Sequence, residues 1–554
     1  MKDIDYAIDF GTSTTLLAIP RPDKALPIKI ELDSANVWLP SVISSNDGIS
    51  WETGSNALFA PVAQKILSPK TAITANLDFL ENSAGVRINA DEAIGLILER
   101  VMATVKQNNL NPDGVVRMSC PAMWNGAQRQ RLIKIARKIG FNTNIDDLMD
   151  EPIAAGINWW WNKTLNSGTR IDSSKILVFD LGGGTLDVAV LYINSFDNQP
   201  PEITVMGARG TNLAGDEIDR LFAEYILKRM HDENDFDYLK QQRSAEVYGI
   251  VLREAREAKE RLSSIFSTKL TSNYEGFAIP QLEITRQDFE ENVISKIIGK
   301  LKIEVELVLR EVRLKKDDLT AAEAKRIPLS EISSQIDHVV FAGGMSQVPK
   351  ITSEIMSMFD EKTQLDYTTL NKSDSALGIV EGLASRNESL NLNVHRPNFS
   401  FVINYAVNGK KVEPFILYPA FEPIYNATDV FMEKAYLSFS NSFVPSAEPD
   451  KSTVYLSLET LGGRKLTLFN VEDDSETSAI ALSANRLRGL RFTLYIDGKF
   501  VIQDALGSIM TARVRQWPFI RWGVNTLMRP SVRIESDFSS RFINSSMDDW
   551  RTSH

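Results

Sequence analysis

Cysteine is almost missing from this chain: Cys120 is its one thiol, and the four histidines (His231, His338, His395 and His554) are scattered. A single thiol forms no intramolecular disulfide and no cysteine metal cluster, so nothing indicates an oxidising compartment. Long apolar runs are missing too, since none reaches the about 18–20 residues that a membrane span needs. The chain opens on Lys2-Asp3-Ile4-Asp5 and a strand rather than on a signal peptide. A cytoplasmic protein without a membrane partner is the expectation. Basic charge is not in excess: 61 Lys and Arg stand against 72 Asp and Glu, a net charge of −11, which argues against binding along a phosphate backbone and so against a nucleic-acid partner. The 43% hydrophobic and 24% charged content is that of an ordinary globular protein, and 554 residues allow several domains.

What is present is a phrase written twice. Tyr6-Ala7-Ile8-Asp9-Phe10-Gly11-Thr12-Ser13-Thr14 and Ile176-Leu177-Val178-Phe179-Asp180-Leu181-Gly182-Gly183-Gly184-Thr185-Leu186-Asp187 each run from an apolar strand through an acid to a small-residue turn. Apolar residues resume after each turn, at Leu16 to Ile19 and Val188 to Leu191, so each copy predicts a β-hairpin. Glycine lets backbone N–H groups approach a polyphosphate closely, and Thr and Ser add short hydroxyl donors. A carboxylate at the strand end repels phosphate but suits a hydrated Mg²⁺, which prefers oxygen ligands and keeps its waters. Asp9 and Asp180 are the metal-side candidates on this reasoning. The bland alternative is a pair of ordinary glycine-tipped hairpins; a single copy leaves that open, and two copies argue against it.

From Met1 to about Ser385, strands alternate with amphipathic helical patterns, the signature of α/β architecture. Gln287 to Lys315 carries apolar residues three or four apart and predicts one long packed helix, followed by a polar insertion over Thr320 to Ser334. Trp159-Trp160-Trp161 continues a helix and reads as core and helix–helix packing, the alternative being an exposed anchor for a partner. Residues 386–396 read as a polar linker. Beyond it, alternating runs at 399–405, 453–458 and 490–496, with a turn at Asp497-Gly498, predict a β-rich region over 397–554. Trp517, Trp522 and Trp550 lie among Arg515, Arg521 and Arg529 and fit either a protein-binding surface or arginine stacking within a β domain.

Five ordered blocks carry a family resemblance over residues 1–385. They are Ile8 to Ser13; Cys120-Pro121-Ala122 with Gln128-Arg129-Gln130 and Asp150 to Ala155; Phe179 to Asp187; Leu213 to Asp219; and Phe341 to Pro349, with the helix Glu254 to Ser264 between the last two. Together they resemble the nucleotide-binding domain of the heat-shock protein 70 family, within the actin-like ATPase superfamily. The resemblance implies a two-lobed actin-like fold of ribonuclease H-like repeats with an appended β-rich C-terminal domain. It implies ATP or ADP with Mg²⁺ as cofactors, the phosphates cradled by Gly11, Thr12, Ser13, Gly182, Gly183, Gly184 and Thr185. Asp9 and Asp180 would hold the hydrated metal, and Glu151 and Asp187 would line the γ-phosphate side, where phosphoryl transfer depends on orientation and charge neutralisation. Thr185 would join them in catalysis. Gly215, Lys259, Ser263, Gly343 and Gly344 would meet the ribose and base; their bland readings are turn glycines and a solvated helix face. Lys70, in Ser68-Pro69-Lys70-Thr71, is the nearest candidate for the family's catalytic lysine.

The chain also departs from the pattern. Gln347 stands where the family has an arginine packing on adenine, and Arg256 where it has a glutamate. No apolar, acid-flanked linker and no helical lid are recognisable, and 490–505 alone resembles a hairpin of the family's peptide-binding β-sandwich. The reading is an ATP-binding, slowly hydrolysing, chaperone-like protein. Its nucleotide state would control a protein client engaged through the C-terminal domain, with a co-chaperone or nucleotide-exchange factor as further partner. An actin-like scaffold or filament and, behind it, a small-molecule kinase are the alternatives.

Overall fold

The structure is a computed structural model. It describes residues 4–20, 26–28, 30, 37–144, 147–166, 173–195, 201–270, 273–274, 277–317, 326–369, 377–386, 391–393, 397, 399–422, 438–445, 447, 449–450, 454–460, 465–469, 476–482, 489–495, 498–504, 507–515, 521–522 and 531–536.

Both copies of the repeated phrase are hairpins. Tyr6–Phe10 pairs antiparallel with Thr14–Ile19, and Ser173–Leu181 with Leu186–Asn194, bringing Asp180 opposite Asp187. Each hairpin sits in a sheet of the same plan. In the first sheet the order is Leu148–Asp150, Val116–Cys120, Tyr6–Phe10, Thr14–Ile19 and Leu26–Ile28. In the second it is Gln364–Tyr367, His338–Ala342, Ser173–Leu181, Leu186–Asn194 and Glu202–Thr211. Two parallel strands precede the hairpin and an antiparallel strand follows it in both cases. The sequence repeat is therefore a repeat of topology.

Strand alternation explains how the sheets are buried on both faces. Tyr6, Ile8 and Phe10 point into the core of the first lobe, while Ala7, Leu16 and Ala18 enter a second core. Leu177, Phe179 and Leu181 likewise face the helices Gly215–Asn234, Ser244–Leu262 and Ser295–Asp317, while Ile176 and Val178 enter that same second core. The shared core is filled by the helices Glu151–Trp161 and Gly378–Leu383, which pack against each other between the sheets. Trp159 and Trp160 are buried there and Trp161 is partly buried, so the tryptophan run is packing.

The long helix is present, entered through a capping box at Thr285 and a turn of π-helix at Glu290–Ile294 before Ser295–Asp317. The expected polar insertion needs correction: Leu329–Ser333 is helical, started by Pro328, with Ile332 buried. Residues 318–325 lie outside the described ones.

The C-terminal part has two facing sheets. One is ordered Phe415–Tyr418, Phe399–Asn404, Val454–Thr460 and Ile480–Leu482; the other is seven-stranded and includes the expected hairpin Arg491–Tyr495/Lys499–Gln503. Gly498 takes a φ of 84° at its turn. Phe401 joins the sheets, its ring 5.0 Å from those of both Phe492 and Phe500. Trp517, Arg529 and Trp550 lie outside the described residues.

Of the expected linker, residues 386 and 391–393 are described. Asn391–Asn393 is a strand, paired parallel to Glu202–Thr204 at the edge of the second sheet and antiparallel to Arg521–Trp522 on its other side. A polar three-residue strand carries no periodicity, and its partners are distant in sequence. Among the described residues, no helix is long and apolar enough to cross a membrane.

Candidate functional site

The two hairpin tips face each other across the cleft. A Cβ on Gly183 would collide with the Ser13 hydroxyl, and one on Gly184 would stand 2.7 Å from Thr12 Cγ2. Close approach therefore requires glycine on one side and short hydroxyl residues on the other. Ser41, which the sequence did not single out, fixes the first tip: its hydroxyl donates to Gly11 O (2.9 Å), and its N–H donates to Ser13 O (2.9 Å). Gly182 N–H donates to Thr185 O (3.0 Å) and closes the second. A cavity of about 290 Å³ opens here, lined by Thr12, Lys70, Gly184, Thr185, Asp216 and Glu217 among others.

Four acids converge behind the tips. Asp9, Glu151, Asp180 and Asp187 are all buried, each at or next to a strand end. Ser119 donates to Asp9 Oδ1 (2.6 Å) and Ala122 N–H to Asp187 Oδ1 (2.7 Å). Lys70, placed at the start of a short helix, answers them: its Nζ lies 2.5 Å from Glu151 Oε1, below the rings of Trp124 and Phe10. Thus Lys70, 81 residues from its partner, joins the acids that the sequence picked out.

Burial without full compensation governs the protonation. Desolvation, followed by the charge of Glu151, pushes both Asp9 and Asp187 up to about 7. Desolvation, Glu151 and Asp187 together hold Asp180 well above the usual carboxylate range. For Lys70, desolvation works against the ammonium, but the charges of Glu151 and Asp9 outweigh it and raise the pKa. Four carboxyl groups around one ammonium suit a further cation, which a raised carboxyl pKa signals. Carboxylate oxygens are the donors that a hard, partly hydrated ion prefers; among the described residues no group of three or more His, Cys, Asp or Glu side chains is arranged to hold a metal directly.

A second buried ion pair is made by Asp150, the chain neighbour of Glu151. Arg129, also buried, is 2.7 Å from Asp150 Oδ1, donates to Trp124 O (2.9 Å) and touches Cys120 Sγ (3.0 Å). Its guanidinium lies 4.5 Å from the ring centre of Phe421, and Gly126 N–H donates to Ala420 O (3.1 Å). Residues of the C-terminal part therefore touch the helix Gly126–Ile139 next to the acid cluster. Asp150 and Arg129 stood inside recognised blocks, but nothing in their spacing announced the pair.

The remaining candidates gather beyond the second tip. Gly215 N–H donates to Gly182 O (3.1 Å) and Asp216 N–H to Gly183 O (2.7 Å), seating the helix Gly215–Asn234 on the glycines. Lys259 Nζ lies 2.5 Å from Asp219 Oδ1, and Ser263 Oγ donates back to Lys259 O (3.1 Å). Arg256, the departure noted above, bridges Asp216 (2.7 Å) and Asp219 (2.8 Å). Gly343 has a φ of 74°, and a Cβ there would lie 2.7 Å from Asp180 Oδ1; Gly344 faces open space.

Duplicated sheets, crossing helices between them and paired hairpin tips define the actin-like ATPase fold. A family-level profile described as Hsp70 protein matches residues 63–379. The chain belongs to the Hsp70 family. It is 24% identical over 374 residues to the chaperone protein DnaK of Thermosipho melanesiensis, covering 65% of this chain and 56% of that protein. It is 25% identical over 385 residues to the chaperone protein HscA of Buchnera aphidicola subsp. Schizaphis graminum, covering 65% and 55%. With the chaperone protein DnaK of Thermoplasma volcanium the identity is 27% over 371 residues, covering 62% and 52%. The chain spans about half the length of the relatives it matches.

Proposed function

We propose that this protein binds ATP with Mg²⁺ between the two hairpin tips, hydrolyses it slowly, and uses the nucleotide state to govern how its C-terminal β-rich part engages a protein client. The facing tips above a buried acid cluster carry this reading. Gly11, Thr12, Ser13, Gly182, Gly183, Gly184 and Thr185 donate to the phosphates, and Gly215, Lys259, Ser263, Gly343 and Gly344 border the ribose and base. Asp9 and Asp180 hold hydrated Mg²⁺, which supplies neutralisation of polyphosphate charge. Glu151 and Asp187 orient the attacking water and Lys70 stabilises charge on the transferred phosphoryl group, because such reactions are accelerated mainly by positioning and electrostatics. Arg256, tied to Asp216 and Asp219, fills the role of a brace beside the nucleoside rather than that of a base ligand.

The coupling half of the proposal is supported by the contact of Ala420 and Phe421 with Gly126 and Arg129, since Arg129 leads through Asp150 to Glu151. A residues 1–385 nucleotide unit and a 397–554 client unit are the divisions this reading uses. Calorimetric ATP binding and ADP production, on wild type beside Asp9→Ala and Thr185→Ala, test the first half. Both variants are expected to lose affinity and turnover; wild-type-like values in both would end the assignment.

The raised carboxyl pKa values add a pH signature. A carboxyl with a raised folded-state pKa stabilises the metal-free fold at low pH. That contribution is lost as pH rises from the ordinary carboxylate value through about 7, the value for Asp9 and Asp187. A cation must displace the same protons, so its affinity rises with pH, by about tenfold per unit below the pKa for each proton released. The Tm gain given by Mg²⁺ and nucleotide is therefore expected to be larger at pH 8 than at pH 6, with Asp9→Asn flattening the difference. A gain independent of pH in the wild type contradicts the assignment of Asp9.

A further inference from the structure

The segment that carries Lys70 has little of its own to hold it in place. Its helix Thr71–Thr74 is four residues long, Lys70 precedes it, and Ser68 enters with a φ of 55°. A helix that short does not persist alone, because its few hydrogen bonds do not offset the order they impose. What holds it comes from a turn distant in sequence, between the strand Val116–Cys120 and the helix Gly126–Ile139. Gln128 Nε2 donates to Ile73 O (3.3 Å) and Thr74 O (3.1 Å), carbonyls at the end of the short helix, where intrahelical partners run out. Trp124 Nε1 donates to Thr74 Oγ1 (3.0 Å). Trp124 is itself fully buried and fixed through its backbone, its N–H donating to Pro121 O (3.1 Å) and its carbonyl accepting from Arg129 Nε (2.9 Å).

The indole ring also bears on the charge. Lys70 Nζ stands over it, 5.5 Å from the ring centre, with the ring of Phe10 at 6.0 Å. An aromatic face attracts an ammonium through its π electrons, most strongly where water is excluded and the ring is that of tryptophan. Lysine has three N–H donors, and Glu151 accepts from one. The ring offsets the desolvation of the charge without occupying another, so donors remain for a phosphoryl oxygen. The same turn places Ala122 N–H on Asp187 Oδ1 (2.7 Å), which sets the lysine and that acid in one frame. Packing alone accounts for the burial of Trp124; it does not require an N–H aimed at Thr74 and a face turned to the ammonium.

We propose that Trp124 is a positioning residue that holds Lys70 at the phosphoryl end of the cleft, its N–H fixing the helix that follows the lysine and its face steadying the ammonium. The inference rests on the nucleotide reading above and adds to it the group that keeps the lysine in place.

Single-turnover ADP formation and calorimetric ATP affinity, measured on the full chain, test it. Trp124→Leu is expected to slow turnover by about 10- to 30-fold, which is what the loss of one desolvated contact of this kind amounts to, while ATP affinity stays close to that of wild type. In a Lys70→Ala background the same change is expected to cost nothing further, because two groups that act as a unit are not additive. Trp124→Phe keeps a face and gives up the N–H, and its turnover should fall between. Should Trp124→Leu not fold, fluorinated tryptophans at position 124 decide. They keep the shape and the N–H while draining the negative face of the ring, and turnover is expected to drop with each added fluorine. Turnover of Trp124→Leu at the wild-type rate, an equal loss in the wild-type and Lys70→Ala backgrounds, or a flat fluorine series overturns the inference and leaves the nucleotide reading standing. No ADP production by the wild type overturns both.

Discussion

Lys70→Ala is expected to slow ATP turnover by about 10²- to 10³-fold, the usual cost of removing one preorganised group that faces developing charge. The argument starts from position. Lys70 is 2% exposed, pairs with Glu151 at 2.5 Å, and lines the cavity with Thr12, Gly184 and Thr185. A phosphoryl group passing between the tips sheds charge onto oxygens, and a fixed ammonium there needs no reorganisation to meet it. ATP affinity should fall far less, because both tips still donate to the phosphates.

Stability follows a different balance. Removing one member of a buried pair costs about 3–5 kcal/mol when the other charge is left stranded. Here protonation relieves part of that, since burial already holds Asp9 and Asp187 at about 7. Lys70→Ala should therefore be destabilised mainly at high pH, and Lys70→Ala/Glu151→Gln should be more stable than the single variant. Single-turnover ADP formation and thermal melts at pH 6 and 8 measure both effects. Turnover at the wild-type rate in Lys70→Ala would remove the lysine from the mechanism.

Legibility in the sequence followed locality. Both hairpins were readable because strand, acid and turn are contiguous, and so was the long helix, whose stripe repeats within one element. The meeting of the tips was not readable: it depends on Gly183 and Gly184 approaching Ser13 and Thr12 from another sheet. Lys70 came from the family resemblance alone, since Ser68-Pro69-Lys70-Thr71 has no periodicity and its partner lies in a distant helix. Arg256 was visible as a departure, but its bridge to Asp216 and Asp219 spans two helices. The strand at Asn391–Asn393 and the contact of Trp124 with Lys70 escaped for the same reason, because a single side chain or a three-residue strand acquires its role only from partners that folding supplies.

Gly382→Ala is expected to be the most damaging single-methyl change in the described part of the chain. Gly382 lies in the helix Gly378–Leu383, where it crosses Glu151–Trp161. A Cβ there would overlap the carbonyl of Ala154, with the carbonyl carbon at 2.6 Å and Cα at 3.1 Å. Backbone cannot rotate away as a side chain can, so the helices must separate. One turn further along, Asn158 holds them together, donating to Glu381 Oε2 (3.1 Å) and also to Thr368 O (3.0 Å). Overpacking of this kind costs about 1–3 kcal/mol or more. Ala154 is also one turn from Glu151, so the displaced helix carries the carboxylate away from Lys70, and a misplacement of about 1 Å can cost about 10²-fold in rate. The same substitution at Gly299, an exposed helical glycine whose Cβ would meet nothing within 4 Å, should instead gain up to about 1 kcal/mol from helix propensity. Melting curves and single-turnover rates for the two variants should therefore move in opposite directions in stability, with turnover lost in Gly382→Ala alone; equal behaviour would show that the helix crossing does not position Glu151.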